Sequence, residues 1–311
     1  MEAGVTIIGL GNWASSLAHA LRTSPVPLRE RVHARPESVT ADPGRKQSRG
    51  RAQAPVQLEA ASLDARVLWL CVPDSAIAAT AQRIVKRRGD LSCQIVLHSS
   101  GALNRDELAA AAAAGASIAS VHPLMSFPTK RPMPLAGVPF GVETGGVEAD
   151  GVEAEKAPLR RSLFHLVRQL GGSPFAVPSQ GKALYHAAGM FASPLLTSLL
   201  AGAAACLRAA GLEERDAERL LGPIAAATVA NVNRRGLRQS LSGPLARGDT
   251  STVKLHLQAL EPHPLLGGVY RSLAGLALET LPTRDTEALL RLLTAKTKGG
   301  RHPLSRTVPG D

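Results

Sequence analysis

A short apolar run, Gly4-Val5-Thr6-Ile7-Ile8, leads into Gly9-Leu10-Gly11-Asn12-Trp13-Ala14 and then into a segment of helical period. No other feature constrains the chain as much. The apolar run reads as a strand, and residues 12–23 place Leu17, Ala18 and Leu21 on one helical face. The G-x-G-x-x-A turn between them has a specific physical logic. Gly9 permits the tight turn, Gly11 lets the backbone approach a diphosphate, and Ala14 allows the helix to pack closely on the strand. The helix N-terminus adds free N–H groups and a partial positive charge.

The pattern continues. Residues 31–34, 66–72, 94–97, 117–121, 138–142 and 174–177 read as strands, and residues 75–88, 103–115 and 157–170 as helices. Residues 66–72 (RVLWLCV) form a continuous apolar run, as expected of a strand covered on both faces. Strands alternating with helices specify a mostly parallel α/β sheet, a Rossmann domain over residues 1–177. Residues 36–55 hold three prolines, two glycines and many charges, and are expected to form a mobile loop. From Gln180 onward only helical periodicity remains, over 180–210, 213–236, 249–261, 265–280 and 284–296. The expectation is therefore an all-helical C-terminal domain over 178–297, with a disordered tail at 298–311.

Aromatics are only 3% of the chain, so the core must be built from Leu, Val, Ile and Ala. The net charge is +11, and Arg35, Arg45, Lys46, Arg49 and Arg51 crowd one stretch. Aromatic stacking motifs, zinc spacing and a basic helix are all missing, so a phosphate-bearing cofactor explains that stretch better than nucleic acid does. Cys71, Cys93 and Cys206 lie far apart in apolar surroundings and read as reduced thiols, with no metal site. The N-terminus lacks the pattern of a signal peptide, which suggests a cytoplasmic protein. Ala187 to Leu207 is 21 residues without a formal charge, long enough to span a bilayer. Its Ala, Gly and Ser content and Pro194 favour a buried central helix of the second domain over a membrane span.

Cofactor contacts are expected from Gly9, Leu10, Gly11, Asn12 and Trp13, from Val72 and Pro73 after a central strand, and from Ser99. Asp74 is expected to N-cap the following helix. At the end of the second strand an NAD site usually carries an acid for the ribose hydroxyls, whereas this chain has His33-Ala34-Arg35. Arg35 suits a 2′-phosphate, so NADP(H) is favoured. Three polar clusters sit at strand ends or helix starts: His98-Ser99-Ser100-Gly101, His122-Pro123, and Lys182 with His186 on one helix face. Reducing a carbonyl or imine requires a proton donor, which His122, Lys182 or His186 can supply, while Ser100 positions the substrate. Gly243 to Asp249 reads as a turn into a helix, with Asp249 as N-cap.

The pieces GLGNWA, VPDSAI, LHSSGAL, SVHPLMSF, YHAAGMFAS and LSGPLARGD, spread over about residues 4–260, resemble Rossmann-like proteins that carry the C-terminal domain of unknown function 2520. That family is similar in architecture to the 6-phosphogluconate dehydrogenase superfamily, which includes ketopantoate and pyrroline-carboxylate reductases. The resemblance implies NADP binding, a helical C-terminal domain of the 6-phosphogluconate dehydrogenase type, a homodimer built through that domain, and a small-molecule substrate such as a ketopantoate-like 2-keto acid. Neither nucleic acid nor a membrane is implied as a partner. The alternative is an NADP(H)-binding sensor or scaffold without turnover. Lys182-x-x-x-His186 resembles the Lys-x-x-x-Asn pair of hydroxyacid dehydrogenases, with His in place of Asn. Two departures stand out. Ser193-Pro194 replaces an expected Ser-Asn, which predicts a kink, and the basic loop is longer than the resemblance implies.

Overall fold

The computed structural model describes residues 2–35, 54–144 and 157–295. The tail expected at 298–311, and all of the expected loop except Ala54 and Pro55, lie outside these residues. The chain divides into two compact units, Met1–Leu195 and Leu196–Asp311.

The first unit is built on an eight-stranded sheet. Its strands are β1 (Glu2–Ile8), β2 (Leu28–His33), β3 (Val56–Gln57), β4 (Ala65–Leu70), β5 (Ile95–His98), β6 (Ser117–Pro123), β7 (Pro139–Glu143) and β8 (Ser173–Ala176), in the order β3-β2-β1-β4-β5-β6-β7-β8. From β1 the chain runs outward to β2 and β3, then crosses back to β4 on the other side of β1. The strand order therefore reverses between β1 and β4, the place where open α/β sheets bind ligands. The pairs are parallel except β6 with β7, where His122 stands opposite Gly141. The two-residue edge strand β3 was too short to register as a pattern in the sequence.

Alternation along the strands sends side chains to both faces. Val5, Ile7 and Trp69 pack with Leu17 and Leu21 of α1 (Asn12–Thr23) and with Leu163 and Val167 of α4 (Ala157–Gln169). Ile8, Leu68 and Leu70 pack on the other face with Ile77 and Ile84 of α2 (Ile77–Arg88) and Ala111 of α3 (Ala109–Ala113). Burial on both faces explains the unbroken apolar run in β4. Two helix starts differ from expectation. The segment read as helix 103–115 opens with a 3-10 turn at Arg105–Leu108, capped by the Asn104 side chain, so α3 is short. Asp74 does not cap α2. It begins a 3-10 turn, and its carboxylate accepts the Ser100 hydroxyl instead, at 2.9 Å.

Helices α5 (Lys182–Ala192) and α6 (Pro194–Ala209) are separated at Ser193, whose φ −132 and ψ −83 break the helix. Proline has no N–H to contribute to a continuous ladder and is well placed at a helix start, so the expected kink is a break. Then come α7 (Glu214–Arg235), α8 (Leu237–Ser240), α9 (Gly243–Arg247), α10 (Thr250–Ala259), α11 (Pro264–Thr280) and α12 (Thr286–Thr294). The short α8 and α9 were missed in the sequence. Asp249 caps α10 as expected, accepting the Thr252 N–H at 3.0 Å.

The expectation of a buried central helix is overturned. Ser179–Ala209, with mean hydropathy 1.7, is long and apolar enough to cross a membrane by length and composition, yet only 6% of its apolar window is buried. Leu184, Phe191, Leu195 and Leu199 are exposed. Hydropathy shows that a segment favours cover but does not show what covers it. The second unit has a small core of its own, Val253, Leu257, Ala274, Leu278, Leu289 and Leu293. Leu220, Ile224, Val229, Leu265 and Leu276 stay exposed.

Candidate functional site

The glycine turn has two unlike glycines. Gly9 has φ +119, and a Cβ there would lie 2.2 Å from the Cys71 carbonyl oxygen, so glycine is required to seat the turn against the end of β4. At Gly11 an added Cβ meets no protein atom within 4 Å. Gly11 is the N-cap of α1 and places no side chain over the helix start, leaving room for a phosphate group.

Two neighbouring side chains face away from that room. Asn12 donates to the Phe127 carbonyl at 2.9 Å, pinning the segment after β6. The Trp13 indole turns into the core, tilted against Phe127 and Phe140, and donates to the Ser99 hydroxyl at 2.8 Å. Trp69 donates to the same oxygen at 2.7 Å. Asn12 and Trp13 can therefore meet a cofactor only through backbone, and the Ser99 hydroxyl is engaged by both indoles. Cys71 lies against Ser99 and Trp13, and burial pushes its thiol pKa up. Val72 is half-buried and Pro73 exposed, at the C-terminal edge of β4. Arg35 is exposed, two residues past β2.

Ser100 forms a rigid bracket. Its N–H donates to His98 Nδ1 at 3.1 Å, and its hydroxyl donates to Asp74 and accepts the Leu103 N–H at 2.9 Å. Its carbonyl accepts Lys182 Nζ at 2.8 Å and the Ser120 hydroxyl at 3.0 Å. Lys182 Nζ also donates to Ser120 Oγ at 2.7 Å, and the residue is 1% exposed. Burial lowers the Lys182 pKa to about 8, against the opposing charges of Glu143 and Asp74. His98 is fully buried, and its other nitrogen lies 2.9 Å from the Asn104 carbonyl. Its pKa falls to about 4, chiefly through burial. The Ser100 N–H occupies Nδ1, so His98 is the neutral Nε2–H form, an assignment that follows from its partners.

The bracket presents Gly101 to two imidazoles. A Cβ at Gly101 would lie 2.5 Å from His186 Cδ2 and 2.9 Å from His122 Nε2. The two rings stand edge to face, 5.9 Å apart. His122 Nδ1 lies 2.8 Å from the Tyr185 hydroxyl. Burial, then the charges of Lys182 and His186, lower the His122 pKa to about 3. Burial raises the Tyr185 pKa to about 12, opposed by a hydrogen bond from the Gly141 backbone. Glu143, also fully buried, accepts the Arg105 N–H and the Ser179 hydroxyl, each at 2.7 Å.

The structure thus brings together Ser100, His122, Lys182 and His186, all within the first unit. Sequence reasoning missed Tyr185, Ser120 and Glu143. Tyr185 sits three residues after Lys182, a helical spacing that was a usable signal.

Residues 150–276 match the family model described as Domain of unknown function (DUF2520). Of the cluster, Lys182, Tyr185 and His186 lie inside the DUF2520 match, while the Ser100 bracket and His122 precede it. No curated protein matches the sequence. Among solved structures, protein TM1727 from Thermotoga maritima is 20% identical, with 88% of this chain and 97% of that chain covered and a TM-score of 0.63. Pyrroline carboxylate reductase from Plasmodium falciparum, solved with NADP bound, is 13% identical over 94% and 97%, with a TM-score of 0.55. A reductive aminase from Aspergillus terreus, in complex with NADPH and ethyl levulinate, is 15% identical over 93% and 98%, with a TM-score of 0.58. At these identities the likeness establishes a shared fold: a mostly parallel sheet followed by a helical C-terminal region.

Proposed function

We propose that this chain is an NADP(H)-dependent oxidoreductase that reduces a small carbonyl or imine compound in the cytoplasm, a ketopantoate-like 2-keto acid being one candidate. The observation that carries the reading is the Gly9/Gly11 contrast: one glycine seats the turn, and the other leaves open space over an uncapped helix start where the strand order reverses. The NADP- and NADPH-bound reductases that share this fold support the same cofactor.

The backbone at Gly9–Trp13 would hold the diphosphate, Arg35 the 2′-phosphate, and the Val72-Pro73 turn would line the cleft. A bound NADPH supplies the hydride. The residual task for the protein is to deliver a proton and fix the substrate. Lys182 is enclosed and already donates to two oxygens, so it positions the Ser100–Gly101 segment. The charges of Lys182 and His186 both oppose protonation of His122. Neutral His122 then serves as a hydrogen-bond donor, and His186, whose ring stands 5.9 Å from it beside Gly101, is read as the proton donor.

The chain is read as a Rossmann domain over 1–177 and a helical domain over 178–297, acting as a homodimer through the helical part. The small core and exposed leucines of the second unit support that assembly. Calorimetric titration of the Gly11→Ala protein tests the cofactor reading. Its fold should be intact, because the new methyl meets no protein atom, while NADPH binding is lost. Unchanged NADPH binding would refute the site.

A further inference from the structure

Sequence pattern and fold leave Tyr185 without an assigned role, although its hydroxyl makes one of the shortest polar contacts in the cluster. We infer that Tyr185 is a positioning residue that fixes the His122 ring as the Nε2–H tautomer, with that N–H beside Gly101. The inference rests on the reductase reading for its purpose but on geometry for its substance.

The Tyr185 oxygen has two possible acceptors for its proton. His122 Nδ1 is 2.8 Å away, and the His122 carbonyl is 3.5 Å away. Ordinary O–H donors work at about 2.5–3.0 Å, so the proton goes to Nδ1. A neutral imidazole that accepts at Nδ1 carries its hydrogen on Nε2. The opposite tautomer would point Nδ1–H at the phenol oxygen and leave the phenol proton only the distant carbonyl.

The ring is also held sterically. His122 and Tyr185 meet edge to face with ring centres 5.5 Å apart, and the Phe175 ring stands edge to face with Tyr185 at 5.9 Å. Gly141, paired with His122 across the antiparallel β6–β7 ladder, leaves the hydroxyl its place: a Cβ there would stand 2.7 Å from it. The Nε2 of His122 then lies next to Gly101, as does the His186 ring. An N–H fixed there donates to a substrate oxygen or nitrogen and cannot compete for the proton that His186 delivers.

Long-range 1H–15N correlation on the full chain with labelled histidine reads the tautomer directly. The nine histidines are sorted by the signal that disappears in His122→Asn. In the unsubstituted protein His122 should show the Nε2–H pattern. In Tyr185→Phe, with circular dichroism unchanged, it should become a mixture or switch to Nδ1–H. An Nδ1–H pattern in the unsubstituted protein, or the same Nε2–H pattern in Tyr185→Phe, overturns the inference. If Tyr185→Phe does not fold, the pattern of the unsubstituted protein decides alone. The measurement needs neither cofactor nor substrate. A chain that shows the tautomer yet oxidises no NADPH would refute the reductase reading and leave this one standing.

Discussion

Replacing Ser99 by alanine removes one oxygen and strands two indoles. Trp69 is fully buried and Trp13 partly buried, and both donate to the Ser99 hydroxyl, at 2.7 and 2.8 Å. An unsatisfied buried donor costs about 1–3 kcal/mol. Trp69 should cost near the upper part of that range and Trp13 less, for a total of roughly 2–4 kcal/mol. Urea denaturation followed by tryptophan fluorescence is the assay. The chain has two tryptophans, both in the first unit, so the signal reports that unit alone. With a slope of about 2 kcal/mol per molar, the midpoint should fall by roughly 1–2 M. A shift below about 0.2 M would mean that the indoles find other partners and that the Ser99 bonds do not hold the turn to the sheet.

Three further outcomes are expected. The folded pKa of Lys182, about 8, lies below its ordinary 10.5, so the unfolded chain binds more protons between those values. Stability should therefore rise with pH from 8 to 10.5 more steeply than in Lys182→Met, and parallel denaturation profiles would contradict the buried ammonium. Arg35→Ala should weaken NADPH binding relative to NADH by about 10- to 100-fold, the size of a charge-assisted hydrogen bond, and equal losses for both would remove Arg35 from the phosphate. Light scattering on the purified chain should give twice the 32.4 kDa mass, and a monomer at micromolar concentration would refute the dimer.

Local features were the legible part of the sequence. The glycine turn, the period of α1 and the apolar run of β4 each follow from steric or burial rules that act over a few residues. Lys182 and His186 were legible as a pair by spacing. Their partners were not, because Ser120 and the Ser100 carbonyl reach Lys182 only through the order of β5 and β6 in the sheet. Tyr185 meets His122 because β7 runs antiparallel to β6 and puts Gly141 opposite, a pairing that no local pattern announces. The indole partners of the Ser99 hydroxyl were not legible for a similar reason, since they lie 86 and 30 residues away. The apolar α5–α6 stretch was read as covered by its own chain, and hydropathy contains no information on that point.

Because α5 belongs to the first compact unit, Ser100, Ser120, His122, Lys182, Tyr185 and His186 are all supplied before Leu195. The boundary between the two units therefore falls after this hydrogen-bonded cluster rather than through it. A chain cut near Leu195 would keep every side chain of the cluster, since each of these bonds joins two residues of the first unit.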